Sequence, residues 1–285
     1  MKHFLNVHNL RVLGCVMLSG ILVSSCQKDI VQKVVDEDAA TVARATYSTK
    51  TVNWDNRSDG TYTTAEAAED FGNISGWVES RAYNSSGTCR ITLLKDALSG
   101  AGGVVSTIDI PDGQQYELTF DVKYHSQFDW SRGGKVGFGF GIGDGNAGGD
   151  PAWDGNGGSL RIMWYQDDSN RVYFHPYVYY KDQPGQYGDN FGKSYPSSGS
   201  INRSQWYTVY MFAQSNTGSN KDGWVTIKIN GTTILNQAIR WTTNDAKRLI
   251  NSLWFMTFRG GSETYWQSST DGYIYFDNLW WKKDS

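Results

Sequence analysis

Cysteine is nearly absent from this chain: three of 285 residues, Cys15, Cys26 and Cys89, and the first two fall within the opening 26 positions. That excludes a disulfide framework for the remainder. Cys89 stands alone there, in the strand-like run Cys-Arg-Ile-Thr-Leu-Leu, and reads as a small buried apolar residue. Histidine is as scarce. Only His125 and His175 lie beyond those opening positions, too few for a transition-metal ligand set, and no metal site of that kind is expected. The six glutamates (Glu37, Glu66, Glu69, Glu79, Glu117 and Glu263) lie mostly ahead of the segments richest in polar chemistry, and the aspartates fall chiefly in turns. Glycoside hydrolysis, which needs a facing pair of carboxylates, finds no such pair. Positive charge is not in excess either, with 26 Lys and Arg against 29 Asp and Glu. No general field draws in nucleic acid, so an anionic ligand must be held by local cations such as Lys135 and Arg161. Long helical patterns are missing, and the best candidate, Thr63 to Phe71, is short.

The longest apolar run, Val12 to Val23, follows Lys2 and Arg11 and leads through Ser24 and Ser25 to Cys26. About a dozen apolar residues are too few to span a bilayer. The segment resembles a bacterial lipoprotein signal, with residues 1–25 as the signal peptide and Cys26 as the lipidated residue. Gln27-Lys28-Asp29 resembles the export signal that sends lipoproteins of Bacteroidetes-type bacteria to the cell surface. An outer-membrane lipoprotein, exposed at the cell surface and attached to the membrane through Cys26, is the expectation. Residues 26–47 carry no apolar stripe and read as a flexible tether. Loss of the leader removes Lys2 and Arg11, so 24 basic residues then face 29 acidic ones, a net charge of −5.

What the chain has in abundance is glycine, with 32 residues, and aromatic side chains, with 12 Trp and 17 Tyr. Runs rich in aromatic and β-branched residues recur at 116–124, 135–142, 159–165, 171–180, 206–214, 223–229, 232–236, 253–258 and 272–281. Gly, Asn, Asp and Ser clusters separate them. Asn230-Gly231 is the pair preferred by tight hairpins. The pattern is all-β without an internal repeat. Residues 48–285 are expected to form one jelly-roll β-sandwich of two antiparallel sheets with a concave substrate-binding face, as a monomer. Trp and Tyr rings suit the C–H faces of sugars.

Residues 159–177 read as a β-hairpin that gathers reactive side chains. With a turn at Gln166 to Asn170 and Tyr165 paired with Arg171, Met163 lies opposite Tyr173, Arg161 opposite His175 and Ser159 opposite Tyr177. Alternation then places Ser159, Arg161, Tyr173, His175 and Tyr177 on one face and Leu160, Ile162, Trp164, Val172, Phe174 and Val178 in the core. A second strand, Lys135 to Ile142, alternates strictly. Phe138, Phe140 and Ile142 point inward, while Lys135, Gly137, Gly139 and Gly141 share the other face, a bare trough that a flat ligand can approach closely. The long loop Asp144 to Asp154 shapes one end of the trough and offers Trp153 for stacking. Its carboxylates could hold a structural calcium ion, although it lacks the ligand ladder and terminal Glu of an EF-hand.

These residues resemble polysaccharide lyase family 14. The resemblance rests on Lys135, Ser159-x-Arg161, Tyr173 and the residue two beyond it, Arg259-Gly260-Gly261-Ser262, and the closing strand Tyr275-Phe276-Asp277-Asn278-Leu279. It covers roughly Arg132 to Trp281. Members are jelly-roll enzymes that cleave uronic-acid polymers such as alginate or glucuronan by β-elimination. The resemblance implies that Lys135, Ser159, Arg161 and Tyr173 are active-site residues, and that His175 stands where the family has a second tyrosine. On this reading Arg161 offsets the uronate carboxylate, and Lys135 shares that role or lowers the pKa of a phenol. Tyr173 transfers the proton, with His175 as partner acid or base. Ser159 orients substrate or Arg161, and Tyr177, Gly137, Gly139 and Trp153 contact the anionic polysaccharide. No organic cofactor is implied. The alternative is a non-catalytic, lectin-like surface protein on the same fold. The missing second tyrosine favours it, and the retained Lys135, Arg161 and Tyr173 oppose it.

Overall fold

The computed structural model describes residues 49–285; the expected signal peptide, Cys26 and the expected tether lie outside them. One sheet contains β1 (Thr49–Val52), β2 (Gly60–Thr61), β4 (Ala82–Ser85), β5 (Thr88–Leu93), β7 (Gln115–Tyr124), β12 (Trp206–Gln214), β13 (Gly223–Ile229), β14 (Thr232–Ile239) and β16 (Gly272–Lys283). Its order is β14-β13-β12-β7-β16-β5-β4-β2, with β1 added to β16. The other contains β3 (Ile74–Ser75), β6 (Val104–Gly113), β8 (Gly133–Lys135), β9 (Phe138–Gly143), β10 (Gly157–Gln166), β11 (Val172–Tyr179) and β15 (Ile250–Arg259). Its order is β11-β10-β8-β15-β6-β3, and β9 continues the lane of β8 between β10 and β15. Both sheets are antiparallel, which delivers the expected β-sandwich.

Alternation drives the packing. Along β7 every second residue, from Tyr116 to Tyr124, is buried, and the intervening ones are not. The inward faces meet through aromatic pairs: Phe120 against Phe138 at 5.4 Å, Tyr116 against Phe140 at 5.5 Å and Phe276 against Phe255 at 5.1 Å between ring centroids. Each such side chain removed from water contributes about 1.5–3 kcal/mol, so the interior tolerates little slippage. Cys89 lies in this core, as its sequence context implies. The sole α-helix among the described residues, α1 (Thr64–Phe71), starts from a capping box in which Thr63 and Glu66 satisfy each other's backbone N–H groups. Asn230 and Gly231 turn the β13–β14 hairpin with φ of 49° and 76°, as an Asn-Gly pair requires.

Two sequence expectations need correction. The β10–β11 hairpin pairs Tyr165 with Tyr173, Met163 with His175, Arg161 with Tyr177 and Ser159 with Tyr179, two residues from the expected register. The cause is the turn. β10 runs through Gln166, opposite Val172, and the Asp167 carboxylate accepts the backbone N–H groups of Ser169 and Arg171, making a loop of 167–171. A shift of two preserves the faces, so the expected core residues Leu160, Ile162, Trp164, Val172, Phe174 and Val178 are all buried. The second correction concerns Lys135 to Ile142, which is broken at Val136-Gly137. Lys135 lies opposite Met163, yet Phe140 lies opposite Leu160, so the register against β10 shifts by two across the break. Gly137 has φ of 78°, and a Cβ there would meet the Phe120 ring at 2.3 Å. Gly137 therefore faces the core, not the trough.

Candidate active site

The outward face of the seven-stranded sheet holds the polar chemistry. Four strands bring His175, Met163, Lys135 and Phe258 into one transverse row, since β11, β10, β8 and β15 pair at those residues. The next pairing places Tyr177 beside Arg161, and the one after places Tyr179 beside Ser159. Lys135 Nζ lies 4.1 Å from the centre of the Tyr177 ring, and the Arg161 guanidinium carbon lies 5.3 Å from it. Two cations thus share one phenol, Tyr177.

Arg161 is 4% exposed and has no carboxylate partner among the described residues. Its Nη2 donates to Ser159 Oγ at 3.2 Å, its Nη1 donates to Met256 Sδ at 3.4 Å, and its Nε has no partner. Ser159 Oγ donates onward to the Asn146 carbonyl at 2.7 Å, which turns the serine oxygen toward the guanidinium. Ser159 therefore touches Arg161, the contact that one of its two expected roles requires. The rings of Tyr177, Tyr179 and Trp254 surround the cation at 5.2–5.5 Å. Burial lowers its pKa to about 10, so it remains charged near neutrality.

The glycines explain how so large a side chain fits. A Cβ on Gly139 would lie 2.2 Å from the Leu160 carbonyl and 3.0 Å from Arg161 Cγ, and one on Gly141 would lie 2.4 Å from Ser252 Oγ and 2.8 Å from Trp254 Nε1. The trough expected to be bare is therefore already occupied by Arg161 and Trp254, which lie across the two glycines. The floor of the trough presents a guanidinium and an indole, where the sequence alone suggested exposed backbone.

Lys135 has no acidic neighbour either. Burial, and then repulsion from Arg161, lowers its ammonium to about 7. Burial raises the Tyr177 phenol well above its ordinary value, Tyr179 adds to the shift, and Arg161 opposes it. His175 is 7% exposed, and burial is the main cause that brings its pKa down to about 4. Its Nδ1 is 2.6 Å from the Pro176 carbonyl, which can only accept, so Nδ1 carries the proton and Nε2 is a free acceptor. Tyr173 sits one pair further along the hairpin, against Tyr165 and under the Arg171 guanidinium at 4.3 Å. Its phenol is also raised, by burial and then by Asp167. The structure thus brings Lys135, Arg161, Ser159, His175 and Tyr177 together and leaves Tyr173 outside the pair of cations.

The loop from Asp144 closes one end. Gly149 N–H donates to the Tyr179 hydroxyl at 3.1 Å, and Ala152 packs against Met163, Tyr177 and Tyr179. Trp153 beside it is 49% exposed, with its Nε1 donating to the Gln183 carbonyl. The loop's carboxylates are engaged locally: Asp144 pairs with Lys247, Asp150 accepts from Asn146 and Asp154 accepts from Asn156. No group of three His, Cys, Asp or Glu side chains that could hold a metal ion gathers among the described residues. Residues 180–201 cover the edge of β11 through pairings of Phe174 with Tyr195 and Val178 with Asp189, and they bring the Gly188 N–H to the Tyr177 hydroxyl. Sequence reasoning passed over Met163, Tyr179, Trp254 and Met256. Alternation already placed Met163 on the hairpin's polar face, but a thioether carries no chemical signature.

The family model for polysaccharide lyase 14 matches residues 98–279. Alginate lyase Aly36B is 64% identical over 84% of this chain and 98% of its own, with a TM-score of 0.83. A marine PL-14 alginate lyase from Aplysia kurodai is 22% identical over 82% of this chain and 98% of its own, with a TM-score of 0.65. An alginate lyase from a Chlorella virus is 24% identical over 69% and 85%, with a TM-score of 0.57. At those identities the last two share the fold. No curated protein matches the chain. The family match, covering well over half of the chain, and the layout of cations and phenols on the seven-stranded sheet lead to one conclusion: the protein belongs to polysaccharide lyase family 14 and is a polysaccharide lyase.

Proposed function

We propose that the substrate is alginate and that Lys135, Arg161 and Tyr177 carry the elimination. The observation that bears most weight is that burial separates the pKa values of two touching groups, lowering the amine of Lys135 to about 7 and raising the phenol of Tyr177. Groups driven apart in this way are suited to act as base and acid. Arg161, planar, charged and without a carboxylate, receives the uronate carboxylate and offsets the charge that builds on it. The neutral amine of Lys135 takes the proton from C5. The C5–H electron pair becomes the C4–C5 double bond, the C4–O bond breaks, and the departing oxygen takes the Tyr177 proton. Transfer of the new ammonium proton from Lys135 to the Tyr177 phenolate restores both groups. His175, neutral near pH 7, accepts a hydrogen bond at Nε2 and holds a sugar hydroxyl.

The solved complexes of Aly36B support this assignment. One variant with a lysine and a tyrosine 42 positions apart replaced by alanine is bound to an alginate tetrasaccharide. Another, with the same lysine and a methionine 28 positions along replaced, is bound to an alginate trisaccharide. Lys135, Met163 and Tyr177 stand at those spacings here. The lectin-like alternative rested on a missing second tyrosine, and a tyrosine does stand between the cations, at 177.

The test is to incubate the purified protein with alginate, glucuronan and a neutral glucan while recording ultraviolet absorbance from the unsaturated sugar end. Absorbance should rise with alginate and not in Lys135→Ala. A rise with glucuronan alone would replace the substrate, and no rise with any uronan would end the reading. The lipoprotein features around Cys26 further support attachment at the outer-membrane surface. Incorporation of labelled palmitate, lost in Cys26→Ala, checks it.

A further inference from the structure

We propose that the outer face of the nine-stranded sheet carries a second binding site for a uronan chain, a row of alternating aromatic and cationic side chains on the opposite side of the sandwich from Lys135. The registers define the row. Tyr83 on β4 pairs with Arg90 on β5, Arg90 with Tyr275 on β16, Tyr275 with Lys123 on β7, and Lys123 with Trp206 on β12. Cross-strand partners share a face, and the core residues Cys89, Val122 and Phe276 next to these positions point inward, so all five point outward. The cations sit on their neighbours' rings. The Arg90 guanidinium lies 4.4 Å from the centre of Tyr83 and 5.0 Å from that of Tyr273, and Lys123 Nζ lies 4.5 Å from Trp206 and 5.1 Å from Tyr275. Arg90 Nε is buried with no hydrogen-bond partner.

Two features identify the occupant. Strands lie about 4.8 Å apart, so the row spans roughly 19 Å and advances by nearly one sugar ring per strand. Arg90 and Lys123 are two strands apart, close to the separation of alternate carboxylates along one edge of a ribbon-like uronan, while the rings between and beyond them meet the sugars' C–H faces. The neighbouring row is acidic: Asp277 lies opposite Asp121, whose oxygens accept from Thr208 and Asn278. Burial raises the Asp277 carboxyl, the Asn278 N–H opposes the shift, Asp55 and Asp121 add to it, and the nearby Lys123 of the row opposes it. Such a flank confines a polyanion to single file and opposes docking on a broad anionic membrane. The site would hold the polymer while the opposite face cuts it, and this much rests on the uronan reading above.

The test uses Lys123→Glu and Trp206→Ala, singly and together, none of them near the cleavage face. In a Lys135→Ala background, which leaves the polymer intact, mobility through native gels containing alginate gives the affinity. The row variants should weaken it about tenfold, with no change in neutral-glucan gels. With Lys135 restored, kcat/KM should fall on the polymer and hold on an alginate tetrasaccharide, too short to bridge both faces. Unchanged gel affinity overturns the proposal, as does an equal loss on polymer and tetrasaccharide. Loss of binding to anionic phospholipid vesicles without loss of alginate affinity also overturns it. If the parent cleaves no alginate, the substrate reading fails alone. Glucuronan gels then decide the row: retardation lost in the variants supports it, and retardation unaltered overturns it.

Discussion

Replacing Lys135 by methionine should abolish cleavage and make the protein more stable. Lys135 Nζ lies over the rings of Tyr177 and Phe258, so a methionine of similar length still reaches those rings, exchanges the cation–ring contact for a thioether–ring contact and removes the charge. Burial and Arg161 bring the lysine from 10.5 to about 7 in the folded chain. At about 1.4 kcal/mol per unit, that disfavours the folded ammonium form by roughly 4–5 kcal/mol, and remaining solvent contact trims what a melting experiment registers to about 2 kcal/mol. The sign follows from a folded pKa below the unfolded one. The cost is fully present below about pH 7, shrinks as pH rises toward 10.5 and is gone above it. Lys135→Met should therefore melt about 4–8 °C higher than the parent at pH 6, and the gap should close by pH 10.5. Thermal unfolding by circular dichroism at pH 6, 8 and 10.5 measures it. Parent kcat/KM should meanwhile rise with pH through about 7 as the amine loses its proton. A variant melting lower than the parent, or a gap independent of pH, would refute the claim that this lysine is held against its charge.

Tyr177→Phe should lower kcat by about a hundredfold or more, the scale of general acid catalysis, whereas Tyr173→Phe should retain most activity; steady-state kinetics with both variants decides which phenol transfers the proton. His175 should titrate near pH 4 with the proton on Nδ1, so no histidine limb should enter the activity profile between pH 6 and 9. Imidazole nitrogen shifts measured by NMR check this, and a midpoint near 6.5 would contradict the burial argument. Gly139→Ala should displace Arg161 and the Leu160 carbonyl, costing about 2–4 kcal/mol and most of the activity. Unaltered melting and turnover would mean the floor is not as tight as drawn.

Much of this was legible in the chain because alternation survives errors of register. A hairpin displaced by two residues still presents Ser159, Arg161, Tyr173, His175 and Tyr177 on one face, so the site's composition came through although its neighbours did not. What was lost was which phenol meets the cations. The length of the 167–171 loop decides that, through an Asp167 side-chain contact that periodicity does not register. Gly137 illustrates a second limit. Strict alternation assigned it outward, and a positive φ turned it inward. Gly139 was placed correctly for the wrong purpose, since the space it leaves is filled from the neighbouring strand. The short strands β2 and β3, two residues each, carry too little pattern to be read at all.

The pair of glycines beneath Arg161 and Trp254 has a consequence for how this enzyme can diversify. The cation is recessed by deleting side chains under it, so the anion receptor occupies a notch that any Cβ would erase. Floor and receptor are one object and must be inherited together. New substrate preferences are then accessible through the walls, at exposed side chains such as Trp153 and Tyr187, where a substitution leaves the guanidinium in place. A lineage built this way would hold its grip on carboxylates constant while its choice of sugar drifts.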